Sequence, residues 1–333
     1  MQDNIKQIEQ DMYQAGYICD DKTATTLFLS EALHKPILVE GPAGVGKTAI
    51  AQAFSRMKGL PLVRLQCYEG IDESKAMYEW DYKRQLLHIQ AVANKQLDVK
   101  EVEQDIFSDY FLLRRPLLNA ISCPTPTVLL IDEIDKVDFE FEAMLLEILS
   151  EFQVSIPEFG TVKANHIPYV FLTSNATREL SEALKRRCLY MYLDFPIPEL
   201  EEQILLLKIP DISERLARQI AEVVRKIRLV HLKKAPSIAE SIDWAQSLIS
   251  LGKDDLDVDT ALRTLNILAK YREDLVKLDQ MVQTQRSLNF LPVLGSQSGG
   301  VQMSAPQTSK PSELNPKQKF SMKSIEGFKN VKK

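Results

Sequence analysis

The stretch Gly41-Pro42-Ala43-Gly44-Val45-Gly46-Lys47-Thr48 decides the fold of this chain, because it follows the apolar run 37–39 and precedes a helical pattern over 49–57. Its glycines allow consecutive backbone N–H groups to converge on a phosphate, and the start of the helix adds the positive end of its dipole. Lys47 would reach the β- and γ-phosphates of a nucleotide, and the Thr48 hydroxyl would bind Mg²⁺. The stretch therefore predicts a strand, a phosphate-binding loop and a helix.

A second apolar run, over residues 128–131, ends in the adjacent carboxylates Asp132 and Glu133. Asp132 is placed to hold Mg²⁺ together with Thr48, and Glu133 is then free to polarise a water molecule for attack on the γ-phosphate. Apolar strands often end in acidic residues, so this pattern is weak alone. Combined with the glycine loop it predicts hydrolysis of the nucleotide.

Two further polar features follow along the chain. Asn175 ends the strand predicted over 169–174, where its amide could align the attacking water, although a lone asparagine there is more often a turn residue. Arg186 and Arg187 follow a short helix predicted over 180–185. Paired arginines are usually solvated surface, but these could act on the γ-phosphate of a neighbouring subunit.

The arrangement of apolar runs predicts an α/β fold followed by a helical region. Strand patterns at 37–39, 62–65, 128–131, 169–172 and 189–193 alternate with helical patterns, which is typical of a parallel five-stranded sheet covered on both faces. We expect an α/β nucleotide-binding domain over residues 1–198 and a small all-α lid domain over 199–290, where Ser237 and Glu240 have the spacing of a capping box. Residues 295–333, rich in Ser, Gln, Gly, Pro and Lys, predict a flexible, disordered basic tail.

The order of these parts resembles the AAA+ ATPases. The phosphate loop with the stretches 64–70 (RLQCYEG) and 78–80 (YEW) is similar to the MoxR family, and most similar to its CoxD-type members, over about residues 14–285. The resemblance implies ATP and Mg²⁺ as cofactors, Gly41 to Thr48 as the Walker A loop, Asp132 and Glu133 as Walker B, and Asn175 as sensor 1. It implies Arg187 as the arginine finger, with Arg186 as the alternate.

The same resemblance implies partners. Family members assemble as hexameric rings with ATP sites between subunits, and act as chaperones that mature metalloenzymes or complexes, commonly with a protein that carries a von Willebrand factor A domain. For CoxD-type members the client is a molybdenum hydroxylase. Two other functions stay open: a nucleotide-gated assembly scaffold with negligible hydrolysis, and a nucleic-acid-handling AAA+ loader.

Three local features bear on the family pattern. The 85 positions from Lys47 to Asp132 leave room for a helix-2 insert at about 78–115, and residues 153–164 predict a pre-sensor hairpin. The aromatic residues Tyr78, Trp80 and Phe159 either face a central pore or pack in the core. Residues 235–244 contain no arginine for the sensor 2 position, for which Lys233, Lys234 or Arg263 are substitutes that the sequence does not rank.

Composition restricts the function class. The chain has 41 Lys and Arg against 46 Asp and Glu, a net charge of −5, and the seven Lys and two Glu of residues 295–333 leave −10 on residues 1–294. An acidic body disfavours binding to nucleic acid. No apolar run approaches the length of about 18 residues that suggests a membrane span, and the polar N-terminus and four scattered cysteines predict a cytoplasmic protein with reduced thiols.

Overall fold

A parallel sheet of five strands, in the order β2-β5-β8-β1-β9, organises the structure, a computed structural model that describes residues 2–92 and 99–285. The strands are β1 (Ile37–Glu40), β2 (Leu62–Gln66), β3 (Tyr78–Trp80), β4 (Leu112–Arg114), β5 (Val128–Asp132), β6 (Gln153–Ile156), β7 (Gly160–Lys163), β8 (Tyr169–Ser174) and β9 (Leu189–Tyr192). The helices are α1 (Gln2–Gln14), α2 (Asp21–Leu33), α3 (Lys47–Lys58), α4 (Glu73–Ala76), α5 (Tyr82–Val92), α6 (Val99–Ile106), α7 (Pro116–Ser122), α8 (Phe139–Glu151), α9 (Glu182–Arg187), α10 (Pro198–Lys208), α11 (Glu214–Arg228), α12 (Ile238–Ser250), α13 (Val258–Leu268) and α14 (Arg272–Gln285).

Alternation along the central strands gives the sheet two apolar faces. Leu129 and Ile131 of β5 belong to one buried cluster, whereas Val128 and Leu130 belong to the cluster on the opposite face. Successive side chains of a strand point to opposite faces, and helices cover both. The predicted α/β fold with a parallel five-stranded sheet is thus confirmed, and the carboxyl ends of β1, β5 and β8 meet at one edge.

Two small antiparallel pairs lie outside the main sheet. Strand β3 pairs with β4, with α5 and α6 between them in sequence, and β6 pairs with β7 as a hairpin. Trp80 is buried and packs edge-on against Phe107 (5.2 Å between ring centroids) and Phe159 (6.4 Å). Tyr78 and Phe159 are half-buried against the same cluster, so these aromatic residues pack in the core and the pore-facing alternative is wrong for Trp80.

Helices α10 to α14 surround an apolar cluster of their own, with Trp244 fully buried and its Nε1 donating to Thr264 Oγ1 at 2.8 Å. Ser237 and Glu240 form the predicted capping box at the start of α12. The domain boundaries at 1–198 and 199–290 stay predictions, and the predicted tail at 295–333 lies outside the described residues.

A buried ion pair joins three of these helices. The Arg228 guanidinium binds both carboxylate oxygens of Glu201, at 2.5 and 2.9 Å, and its Nε donates to the carbonyl of Pro236. Glu201 also accepts a hydrogen bond from Ser241. Because Glu201 is fully buried, this pair fixes α10, α11 and the start of α12 relative to one another.

No helix within residues 2–92 and 99–285 combines the length and apolar character needed to cross a membrane. The four cysteines, all in this part of the chain, have free thiols.

Candidate functional site

The loop between β1 and α3 has a backbone that requires glycine at two points. A methyl group built on Gly41 (φ +151°) would lie 3.0 Å from the carbonyl carbon of Leu193 and closer still to its oxygen. A methyl group on Gly44 (φ +77°) would lie 2.6 Å from Ser237 Cβ. The loop therefore passes directly beside the end of β9 and the start of α12, and positive φ at Gly44 is accessible to glycine without strain.

Lys47, the first residue of α3, is buried with its Nζ at the centre of the loop. The Nζ donates to the carbonyls of Gly41 and Pro42, both at 2.7 Å, and to Asn175 Oδ1 at 2.8 Å. Burial lowers the pKa of Lys47, and the negative charges of nearby carboxylates, Asp135 first among them, act in the opposite direction. The lysine thus joins the loop to the tip of β8.

The Thr48 hydroxyl lies 3.1 Å from Oδ1 and 3.3 Å from Oδ2 of Asp132. Asp132 is buried, accepts a hydrogen bond from Thr173 Oγ1, and lies 2.5 Å from Arg64 Nη2. A hydroxyl and one carboxylate are hard oxygen ligands of the kind that Mg²⁺ uses when phosphate oxygens complete its shell. This pair of ligands fits an Mg²⁺ shared with a bound nucleotide. No cluster of three or more His, Cys, Asp or Glu side chains that could hold a metal occurs within 2–92 and 99–285.

Glu133 follows Asp132 in a left-handed backbone conformation, with φ 59° and ψ 48°. Its amide donates to Thr173 Oγ1 at 3.0 Å, and its partly exposed carboxylate pairs with Lys136. Ala176, directly after Asn175, is also left-handed (φ 55°). Non-glycine residues in this region are held there by their surroundings and concentrate at functional sites, so the ends of β5 and β8 are both shaped by tertiary contacts.

Asp135 holds the segment after β8 in place. Its buried carboxylate accepts hydrogen bonds from the amides of Asn175 (3.2 Å) and Thr177 (3.1 Å) and from the Thr177 hydroxyl. Burial alone would raise the pKa of Asp135, but these hydrogen bonds together keep that pKa below its ordinary value. Asn175 is therefore fixed at its backbone while its side chain reaches Lys47.

Arg186 and Arg187 lie apart from this group, at the end of α9. Arg187 Nε donates to Ser150 Oγ and its Nη1 to the carbonyl of Ala183. Arg186 is exposed, and its guanidinium has no hydrogen bond or ion pair with any part of the chain that the structure describes. Neither arginine lines the cavity of their own chain.

The loop and the strand ends form one wall of a cavity of about 920 Å³, within the range of small-molecule sites. The segment after α1, α10 and α12 contribute further lining residues that are mostly apolar, among them Tyr17, Ile18, Leu200, Ile204, Ile238 and Ile242. Burial raises the pKa of Tyr17 above its ordinary value. Polar groups that can bind phosphates and apolar residues that can pack on a base are the two features that a nucleotide site requires.

Sequence reasoning missed several residues of the site. Arg64, Thr173 and Asp135 contact its carboxylates or its backbone, and Ser237 packs on the loop. A charged residue inside the strand at 62–66, two positions before its end, was the one sequence signal available for Arg64.

The expected substitutes for a sensor 2 arginine do not line the cavity. Lys233 lies over the Tyr271 ring at 4.5 Å and Lys234 pairs with Glu240, while Arg263 also stays outside. Among the described residues, the basic side chains that line the cavity are those of Lys22, Lys47, Arg64 and Lys208.

Part of this chain is similar in sequence to a known family and to known proteins. Residues 36–188 match the family model of the AAA domain (dynein-related subfamily). Gas vesicle ATPase GvpN of Haloferax mediterranei is 24% identical over 203 residues, which cover 58% of this chain and 56% of that protein. An uncharacterised protein of Staphylococcus epidermidis is 25% identical over 257 residues, covering 72% of this chain and 86% of its own length.

Among solved structures, two of the Thermotoga maritima RuvB Holliday junction branch migration motor are similar. The first has a TM-score of 0.43 at 17% identity, covering 87% of this chain and 77% of that chain. The second, a point mutant of RuvB from the same organism, has a TM-score of 0.46 at 15% identity, covering 86% and 77%.

The family model and the sequence match to GvpN fit a MoxR-like ATPase and give no specific support to the CoxD type. The match to the AAA domain model and the phosphate-loop fold of this chain support the predicted ATPase activity. Residues 36–188 of this chain are thus similar to AAA domains of the dynein-related subfamily.

Proposed function

We propose that this protein hydrolyses ATP to ADP and phosphate and uses the reaction to remodel a client protein. The observation that carries the proposal is the convergence at Lys47, whose Nζ touches the phosphate loop and Asn175 while the adjacent Thr48 touches Asp132. A loop, a cation, a carboxylate and an amide at one edge of a sheet match the requirements of phosphoryl transfer to water.

Each side chain then has a role in the reaction. The loop amides and Lys47 bind the β- and γ-phosphates, and Thr48 and Asp132 would hold Mg²⁺, which supplies neutralisation of charge on the phosphate oxygens. Glu133 orients and deprotonates the attacking water, and Asn175 aligns it. The left-handed backbone at Glu133 turns this carboxylate away from the direction of the strand and leaves it on the cavity wall.

Assembly into a homo-oligomeric ring, which we propose to be a hexamer, supplies the remaining cation. Arg186 and Arg187 lie on the surface, outside their own cavity, which is where a residue that acts on a neighbour's γ-phosphate must be. An arginine finger given by a neighbour increases the rate by about 10³ to 10⁵. Turnover per subunit should therefore rise with protein concentration as rings form.

The remodelling role and its partners rest on the sequence resemblance to MoxR-type ATPases. We propose a client that is a metalloenzyme such as a molybdenum hydroxylase, and a partner with a von Willebrand factor A domain. Purification of the full chain with its bound proteins from the native host tests both, and a set of bound proteins without either class contradicts this part of the proposal.

The enzyme is tested by steady-state ATP hydrolysis of the wild type and of Glu133→Gln. We expect the variant to bind ATP as the wild type does and to turn over about 10² to 10⁴ times more slowly, because it loses the general base. Equal and near-zero rates for the two proteins would instead show a nucleotide-gated scaffold. Lys136→Gln, which removes only the ion-pair partner of Glu133, is the matched control.

A further inference from the structure

The seven residues 175–181, here called the connecting segment, join Asn175 of the candidate site to the start of α9, which carries Arg186 and Arg187. In a ring, Asn175 would act on the nucleotide of its own subunit, whereas the arginines would act on that of a neighbour. The following inference rests on this proposed function and extends it to the residues that connect the two sites.

Asp135 binds the first end of the connecting segment. It precedes α8 and accepts the amides of Asn175 and Thr177. The start of the segment is thus fixed to the chain that follows Glu133.

Glu142, on α8, binds the other end. It is 1% exposed, and its Oε2 accepts the amide of Ser181 at 2.9 Å, while its Oε1 pairs with the Arg178 guanidinium. Arg178 also lies over the Phe139 ring at 4.7 Å. Because Ser181 is the residue that caps α9, its bond to Glu142 sets where that helix begins.

A third contact from α8 lies at the end of α9, where Ser150 accepts a hydrogen bond from Arg187. Leu184 in the middle of α9 is fully buried against the same apolar cluster as Leu145 of α8. Helix α8 therefore holds α9 at its start, its middle and its end, and the exposed Arg186 is presented on a helix with little freedom to move.

We propose that Glu142 is a positioning residue for the arginine that acts on the neighbouring subunit. Its buried carboxylate ties the first turn of α9 to the helix that follows Glu133, so that the catalytic carboxylate of one site and the arginine for the next site are carried by one rigid block. Loss of Glu142 leaves its own site able to bind ATP and to accept an arginine, but misplaces the arginine that it gives.

The test uses full-length chains carrying Glu142→Gln, with Glu147→Gln as the matched control, since Glu147 is an exposed glutamate on the same helix. We expect E142Q to lower kcat about 10- to 100-fold, the size of effect that a misplacement of about 1 Å has on catalysis. We expect the Kd for ATP to change less than about twofold, and E147Q to match the wild type.

The distinguishing readout is activity in mixed rings. E142Q subunits, slowed about 10- to 100-fold on their own, and E133Q subunits, slowed by loss of the general base, are co-expressed with different tags and purified together. In a random equimolar ring about a quarter of the interfaces join an intact site of an E142Q subunit to an intact arginine of an E133Q subunit, so activity should return to about a quarter of the wild-type value. A merely structural role for Glu142 would damage its own site, and mixing would not restore activity.

If E142Q does not fold, the double variant E142M/R178M replaces the buried ion pair by apolar side chains of similar length, an exchange that proteins often tolerate. It still removes the acceptor for Ser181, and the same loss of kcat and recovery on mixing are expected.

The double variant R186A/R187A, mixed with E133Q, separates the two proposals. Suppose that activity recovers in this mixture but E142Q is as active as E147Q, or is not rescued by E133Q. The role proposed for Glu142 is then overturned, and the proposed function stands. Absence of hydrolysis by the wild type, or no recovery with the arginine variant, overturns the proposed function and the inference with it.

Discussion

Substitution of Gly44 by alanine tests the contact between the phosphate loop and the start of α12. The glycine has φ +77°, and the added methyl group would lie 2.6 Å from Ser237 Cβ and 3.9 Å from Ala239 Cβ. Ser237 is buried at the start of α12, with its hydroxyl in the capping box, and so has little room to move aside.

The expected loss of stability has two parts. An alanine in the left-handed region costs about 1–2 kcal/mol relative to glycine, and overpacking against a buried neighbour typically costs about 1–3 kcal/mol. Gly44→Ala should therefore lower the free energy of unfolding by about 2–5 kcal/mol. It should also weaken ATP binding, because the phosphate loop must shift to relieve the clash with Ser237.

Gly70→Ala is the matched control for the backbone part alone. Gly70 has nearly the same φ, +79°, and nothing lies within 4 Å of the methyl group that would be added. Its substitution should cost about 1–2 kcal/mol and leave ATP binding unchanged.

The double variant G44A/S237G isolates the contact. Ser237→Gly removes the Cβ and Oγ atoms of Ser237, the two atoms closest to the new methyl group, and glycine replaces serine at a helix start for only a few tenths of a kcal/mol. Urea unfolding and ATP affinity are measured for the wild type, G44A, S237G and the double variant. The interaction energy from this cycle should be about 1–3 kcal/mol in favour of the double variant. Additivity within about 0.5 kcal/mol would refute the contact between loop and helix.

Three further results are expected. Arg64→Met should lower the Mg²⁺ concentration at half-maximal ATP hydrolysis by about two- to fivefold, because it removes a partly exposed cation, worth up to about 1 kcal/mol, from the strand-end carboxylate; an unchanged Mg²⁺ titration would contradict the pair. Removal of either partner of the Glu201–Arg228 pair should lower the free energy of unfolding in urea by about 3–5 kcal/mol, because it leaves a buried charge without its partner. E201M/R228M should be as stable as the wild type or more so. A double variant as unstable as the single ones would contradict this explanation. Asp257→Ala should cost about 1 kcal/mol at neutral pH. Hydrogen bonds from the side chain and amide of Thr260 depress the pKa of Asp257, so the stabilisation by its carboxylate is complete above about pH 4, near the unfolded pKa, and is lost as the pH falls through the folded pKa. A difference between wild type and variant that did not narrow at low pH would refute this origin.

Local sequence patterns were sufficient to predict features that depend on residues close together along the chain. The five strands of the main sheet follow continuous apolar runs, because strands buried on both faces cannot accommodate polar residues. The loop at 41–48 and the carboxylates after β5 were found because each lies at a fixed distance along the chain from a strand.

Local sequence patterns could not predict contacts between residues that are distant along the chain. The pore hypothesis was wrong for Trp80 because an aromatic residue on a short strand has the same sequence pattern whether it is exposed or, as here, packed on Phe107 and Phe159. Arg64 lies 68 positions from Asp132 along the chain, and only the pairing of β2 with β5 brings them together.

The amino-acid sequence by itself determined the α/β class, the phosphate loop and the identity of its lysine, threonine and strand-end carboxylates, because period, glycine spacing and strand ends are local properties. The tertiary structure alone decided that Lys47 contacts Asn175, that Ser237 packs against Gly44, and that Glu142 binds the start of α9. These contacts depend on strand order and on which helix packs on which face, and both are set by the burial of the whole chain, so no single segment encodes them.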